Sequence, residues 1–495
     1  MVYSRKNKTL VALMVLTVMA LTLALGACTD TNSFVPNTFI PTVESVDSNG
    51  GVAVRVNAAD GDWIYYVNNY QSSNTIKNEY TDEVKDGQIV RIKVSDLEEL
   101  IEMYYDKNDS DAILSISKKL YEKAQIVVPY VVYSGNTEAT AGEGIFVFGD
   151  RLYYRTPNYN LDAQGYAKNE ELLINSCKLN GSDTQTHLVL ADNTTSVYLC
   201  EVDSKVYAVY TAKEDGVDEH GDEQEFTYAY FADLSTTNAE GVRVSKENQS
   251  VSSFKFDQFG GVASYLDKDG ALCSFVVGNG EEKVLIEKQD NVTIVPVSTS
   301  GTWIYYTKDS DLLHVDGIYA IDASATNPTE TTVFATNDYL TGTLSATYVA
   351  FNNGTTNSIV VTATLVPLST PTTYDLFILT QGSTEKDFVL AEDSNTSKLT
   401  LVGIGGEAGK TLYYTDADNY LYSVDLTANE YEAVCHTNYI PQPDIWATYD
   451  VCGEYTFLFN SNGDVVITVE DKENSGTYIS IALEYIVYED EEEAE

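Results

Sequence analysis

The 495-residue chain carries 29 Lys and Arg against 75 Asp and Glu, a formal net charge of -46. A surface this acidic repels nucleic acid and anionic lipid headgroups, and favours cations or basic partners. Hydrophobic residues at 43% exclude a disordered acidic chain, and 37 Tyr and 31 Gly beside only 10 Pro suit many strands joined by tight turns.

The N-terminus has three parts. Arg5-Lys6-Asn7-Lys8 is basic, Leu10 to Ala27 is an apolar run, and Cys28 follows. The run alone would also suit a short membrane-spanning helix. Its ending, Leu25-Gly26-Ala27-Cys28, resembles the bacterial lipobox, in which small residues let a peptidase reach the backbone ahead of the Cys. The resemblance implies that residues 1–27 are a signal peptide and that Cys28 is acylated on its thiol and becomes the mature N-terminus. It also implies an extracytoplasmic protein held to the bacterial cell membrane by its lipid. Residues 28–48, with Pro36 and Pro41, read as a tether, and Phe39–Val43 within it as an extra strand.

From 49 to 488 the pattern is β almost throughout, and one phrase recurs: Gly, one or two residues, then an apolar-Tyr-Tyr strand. It stands at Gly61–Tyr66, Gly149–Tyr154, Gly301–Tyr306 and Gly409–Tyr414, with weaker copies at Lys205-Val206-Tyr207, Gly261-Val262-Ala263 and Glu454–Phe457. A repeat of roughly fifty residues, each holding four short strands, predicts an all-β fold, a β-propeller. The count favours eight blades, with seven as the alternative. The first interval is long because of residues 95–124. Ser95-Asp96-Leu97-Glu98 is a capping box, and Leu97, Leu100, Ile101 and Tyr104 form an apolar stripe. After Asp109-Ser110 a second stripe follows with Ile113, Ile116 and Leu120, so two short helices interrupt the first blade. Residues 489–495, nearly all acidic, repel themselves and read as a disordered tail.

Leu412-Tyr413-Tyr414-Thr415-Asp416 followed by Leu421–Leu426 resembles the repeat of YWTD propellers, the low-density-lipoprotein-receptor type and its bacterial relatives. Trp303–Lys308 with Ile318–Asp322 repeats the match less well, and the second Tyr stands where that family has Trp. The resemblance implies a closed ring used for binding and supplies no catalytic residues.

The chemistry-bearing motifs are few. Gly403–Thr411 is too irregular for a phosphate loop and precedes a strand where a helix is needed. The pairs Asp267 with Asp269 and Asp416 with Asp418 could offer oxygens to Ca²⁺, but they fall where hairpins turn and lack the ligand number a hard cation wants. His187, His220, His314 and His436 are scattered. Five cysteines beyond Cys28 match no zinc spacing, and core packing is the reading set beside a Cys177–Cys200 or Cys435–Cys452 bridge.

One arrangement stands out. The connections between second and third strands are long in the first three units, about 70–87, 156–170 and 212–224. On a ring they would crowd one sector of one face. They carry Tyr70, Tyr80, Tyr159 and Tyr166, and an acidic run containing Asp218, Glu219 and Asp222. Tyr gives contact area at low entropy cost, and scaffolded loops concentrate function. The helical insert would lie on the opposite face as a second contact surface. The expectation is a binding module for a protein, peptide or cell-wall glycan of the envelope, with no cofactor and no catalytic motif. A propeller hydrolase acting on glycans or peptides, or a structural part of an envelope complex, are the alternatives.

Overall fold

The computed structural model describes residues 34–483 except 48, 69–86, 108–115, 117–118, 121, 131, 133–143, 162–166, 192–193, 258–259, 312–313, 336–342, 353–355, 366–370, 391, 393–394, 406–409, 419, 429, 437–447, 460–464 and 476–477. It is a β-propeller of eight antiparallel blades. Seven have four strands in simple sequence order, and blade 1 has a fifth, Val43–Asp47, on its inner edge. The weak sixth repeat is a regular blade with strands Thr343–Asn352, Asn357–Leu365, Thr373–Thr380 and Asp387–Phe388, which decides for eight blades over seven.

The repeated Tyr doublet sits on the second strand of its blade, the added strand of blade 1 being left out of the numbering here and below. Side chains alternate across a strand, so its two rings point to opposite faces of the sheet. The first Tyr serves the following blade: the Tyr65 hydroxyl donates to the Leu179 carbonyl of blade 2 at 2.9 Å, and Tyr305 donates to Asn357 Oδ1 of blade 6 at 2.8 Å. The second serves the preceding one: Tyr66 packs on Phe457 of blade 8 at 5.4 Å, and Tyr154 pairs hydroxyl to hydroxyl with Tyr130 of blade 1 at 2.6 Å. Each doublet is thus a rivet between three blades. Tyr65, Tyr66, Tyr154, Tyr305 and Tyr306 are fully buried for this reason.

Ring closure falls between the last blade and the first, and among the described residues no blade shares strands from both chain ends. The inner strand of blade 1, Ala53–Ala58, lies against that of blade 8, Thr448–Cys452. Asp450 Oδ2 accepts from the backbone N–H of Val52 at 2.5 Å and of Ala53 at 3.2 Å. Gly51 is required here, since a Cβ at that position would fall within the Asp450 carboxylate. On the other side of blade 1, Asn49 Oδ1 accepts from the N–H of Val147 of blade 2 at 2.7 Å, and its Nδ2 donates to the Val147 carbonyl at 3.1 Å.

The insertion reinforces the same seam. The helix Val94–Lys107 buries Leu97, Leu100 and Ile101 in one cluster with Tyr455, Phe457, Ile467, Val469, Ile479 and Ile481 of blade 8. Most of the second expected helix lies outside the described residues, but Ile116 and Leu120 are buried in that cluster too. The apolar side of the insert is therefore spent on closing the ring. Lys472 of blade 8 meets Glu102 on the helix's outer side at 2.7 Å.

The tether expectation needs one change. Val43–Asp47, inside the span read as tether, pairs with Ala58–Arg55 and lies within the ring of inner strands. The extra strand thus starts where Phe39–Val43 was expected to end, because Pro41 cannot donate to a ladder. Cys177, Cys200 and Cys273 are buried thiols, and burial pushes each up to about 12. A Cys177–Cys200 bridge is not made, since Cys177 packs between blades 1 and 2 and Cys200 between blades 3 and 4.

Burial pushes the Asp450 carboxyl from 3.8 up to about 7, so the folded chain holds this proton more tightly than the unfolded one. The clasp's stability is then full below pH 3.8 and is lost as pH rises through about 7. Against Asp450→Asn, wild-type stability should fall by roughly 1.4 kcal/mol per pH unit inside that window. Chemical denaturation across the pH range reads this, and parallel curves would refute it. Gly51→Ala should cost about 1–3 kcal/mol through the forced displacement of Asp450.

Candidate functional site

In each blade the turns between second and third strands leave one face, here called upper, and those between first and second, or third and fourth, leave the lower face. The upper face bears the long connections singled out from sequence, and in blades 2 and 3 they are strand rather than loop. In blade 3, Lys205–Val217 pairs with Glu223–Asp233 without a break from Tyr207–Asp233 to Val217–Glu223. In blade 2, Arg151–Leu161 pairs with Ala167–Lys178 out to Leu161–Ala167. The two hairpins overrun the ring as ribbons.

The tip of the blade 3 ribbon explains why the ladder runs so far. Asp218 Oδ1 accepts from the N–H of His220 at 2.8 Å and of Asp222 at 2.9 Å, and Gly221 takes φ +88° to close the turn. A side chain that caps its own turn lets two strands run to the very end. Beyond Ala212 the ribbon is exposed and carries Glu214, Asp215, Asp218, Glu219, Asp222, Glu223 and Glu225 against the single Lys213. That lysine already faces Glu225 at 2.8 Å. Arg243 lies 3.8 Å from Glu214, and Lys268 of blade 4 lies 3.8 Å from Glu219. Glu214 also accepts from Tyr230, whose hydroxyl burial and this carboxylate hold protonated.

Of the expected rim residues, Glu219 and Asp222 are exposed at this tip, and Asp218 is half-buried beneath them. Tyr159 lies on the blade 2 ribbon strand, but its side chain is outside the described residues. Tyr70, Tyr80 and Tyr166 are outside them altogether, as is Cys28.

The calcium candidates repeat the Asp218 geometry. Asp267 Oδ1 accepts from Asp269 N and Ala271 N at 3.0 and 2.9 Å, and Asp416 Oδ1 from Asp418 N and Tyr420 N, both at 3.0 Å. The first Asp of each pair holds a hairpin turn, with Asp269 and Asp418 standing within the turns. Among the described residues no group of three or more His, Cys, Asp or Glu is placed to hold a metal ion.

Two Ser–His pairs went unremarked in the sequence. His187 Nε2 lies 2.7 Å from Ser176 Oγ in blade 2, and His436 Nε2 lies 2.6 Å from Ser423 Oγ in blade 7. Burial holds both imidazoles below the ordinary histidine range. Each ring also packs on the first Tyr of its blade's doublet, Tyr153 or Tyr413. The recurrence at one blade position marks a packing unit of the repeat, and Ser176 is fully buried from solvent. Sequence could not pair them, because Ser and His stand on adjacent strands.

A cavity of about 760 Å³ lies in the ring's interior, between the added inner strand and blades 2 and 3. Ile40, Pro41, Val43, Val46, Phe148 and Leu199 form an apolar wall, and Glu44, Asp150 and Glu201 supply carboxylates. No Lys or Arg lines it. Its size suits a small ligand or one side chain of a larger one.

No family model matches the chain. No curated protein matches it either. Among solved structures it is similar to the β-propeller domain of the Trilobed protease from Pyrococcus furiosus, described as having an open velcro topology. The identity is 14%, covering 68% of this chain and 95% of that one, with a TM-score of 0.39. It is also similar to the polysaccharide lyase Uly1, with 9% identity over 72% and 93% of the two chains and a TM-score of 0.37. A post-proline cleaving enzyme from Rickettsia typhi is similar at 8% identity and a TM-score of 0.39. Its match covers 90% of this chain, which spans about 59% of that enzyme's length.

If Asp267 serves its turn and not a cation, Asp267→Ala should lower stability by about 1 kcal/mol. Thermal melts in excess Ca²⁺ and in chelator should show the same loss. A loss confined to the Ca²⁺ melt would overturn the turn assignment.

Proposed function

We propose that this chain is an extracytoplasmic, lipid-anchored binding module that takes a protein, peptide or cell-wall glycan of the envelope on its upper face. The observation that carries the reading is the blade 3 ribbon. It is a continuous ladder with a self-capped tip, so its seven acids are held out from the ring on a stiff arm. Preorganised charge lowers the ordering cost of association and speeds encounter with a partner of opposite sign. A basic protein or peptide is the best fit to that arm. The lipobox-like run Leu25-Gly26-Ala27-Cys28 supports acylation at Cys28 and, with it, the membrane location.

A hydrolase is the second reading, and the interior cavity favours it. Glycoside hydrolysis needs paired carboxylates, and Glu44, Asp150 and Glu201 line one pocket. Glu201→Gln and Asp150→Asn, assayed for release of reducing ends from envelope glycan, test it. Activity that both changes abolish would favour the enzyme over the binder.

The principal test is capture from a native membrane extract. The variant carrying Asp215→Asn, Glu219→Gln, Asp222→Asn and Glu223→Gln keeps the Asp218 cap and removes charge from the arm. Wild type should retain a partner that this variant loses, and raised salt should weaken the capture. Equal capture by both proteins would sink the proposal. Separately, a fatty-acid probe should label wild type and leave Cys28→Ala unlabelled.

A further inference from the structure

The anchor reading, combined with the course of the chain after it, assigns the molecule an orientation. We infer that the lower face is a membrane-contacting surface, seated on the bilayer by residues 34–42, with the acidic ribbons directed away. The inference rests on acylation of Cys28 as proposed above.

Residues 34–42 form a strap across the lower face from blade 2 to the ring's interior. Asn180 Nδ2, in the turn between the third and fourth strands of blade 2, donates to the Asn37 carbonyl at 2.5 Å. Arg91 of blade 1, fully buried, donates from Nη2 to the Phe39 carbonyl at 2.9 Å, from Nη1 to the Leu179 carbonyl at 2.8 Å, and from Nε to Gln125 at 3.0 Å. Its guanidinium lies 4.4 Å from the Trp63 ring centre, and Trp63 stacks on Phe39 at 5.7 Å. Ala59, in the lower-face turn before Trp63, donates to the Thr42 carbonyl at 3.4 Å. A planar guanidinium bonded three ways and stacked on an aromatic face fixes the strap far better than a point charge would.

Reach then decides the side. Cys28 stands six residues before Phe34, and six extended residues span at most about 20 Å. The blade 3 strand Lys205–Val217 starts at the lower face, and its 13 residues carry the ribbon tip about 40 Å away. A lipid on Cys28 therefore lies beside the lower face and cannot pass the ring to reach the tip.

Composition fits the same orientation. In a chain of net charge -46, residues 34–43 carry no charge at all. Val35 is 80% exposed and Phe39 37%, so uncharged apolar surface meets solvent where the anchor joins. Such residues partition into a bilayer interface.

The test uses the acylated full chain in vesicles of phosphatidylglycerol and phosphatidylethanolamine bearing a lipid-attached quencher. A fluorophore is placed on Thr38→Cys or Asp60→Cys, both exposed on the lower face, or on His220→Cys at the ribbon tip, with the unsubstituted chain as thiol background. Strong loss of fluorescence at Thr38 and Asp60 with none at His220 is expected. Quenching at His220 equal to or above that at Thr38 would overturn the orientation. A long Gly-Ser linker inserted between Asp30 and Thr31 should abolish the difference between sites, and a difference that survives would refute control by the strap. If the fatty-acid probe leaves Cys28 unlabelled, the anchor reading alone has failed. A maleimide lipid coupled to Cys28 then puts the same quenching comparison to the strap geometry itself.

Discussion

The molecule depends on the seam where blade 8 meets blade 1. A ring of eight sheets has eight such interfaces, and seven join blades that follow directly in the chain. The eighth must be found by segments some four hundred residues apart, and closing so long a loop carries an entropic cost that covalent neighbours do not face. Among the described residues no strand is exchanged between the two ends to tie them. The seam is instead made by side chains: the enclosed Asp450 carboxylate on two backbone N–H groups, the Tyr66–Phe457 contact, and a helix wedged over the joint. The insertion that looks like decoration in the sequence is the device that seals the ring.

The same logic recurs inside the ring at smaller scale. One four-stranded sheet cannot bury both its faces, so each blade must offer apolar surface to both neighbours. A Tyr doublet on the second strand does so with adjacent residues, and the hydroxyls find acceptors across the joint. Tyr65 to Leu179 and Tyr305 to Asn357 are the visible cases. The repeat is recognisable because this geometry, rather than any ligand, demands it.

With a core this self-contained, function moves to what departs from the repeat. The departures are the ribbon of blade 3, the added inner strand with the cavity beside it, and the strap held by Arg91. All three are placed by the ring but are no part of its closure. The ribbon and the strap lie on opposite faces, so the proposed bilayer surface and the proposed partner surface stay apart.

Periodicity alone determined much here. A four-strand unit returning about every fifty residues calls for a stacked architecture, because isolated sheets of that size would leave a face exposed. The first helix was legible from its capping box and stripe, and the turn role of Asp267 and Asp416 from their place between strands. The tertiary structure decided the rest for one reason. The deciding contacts join residues far apart in the chain, and no local pattern records them. Arg91 reads as one more strand residue until Phe39, Trp63 and Leu179 assemble around it, and Gly51 as one more turn glycine until Asp450 arrives from four hundred residues away. The run 212–224 reads as loop by composition, yet it folds as ribbon because the register started at Tyr207 carries the ladder outward until Asp218 caps it.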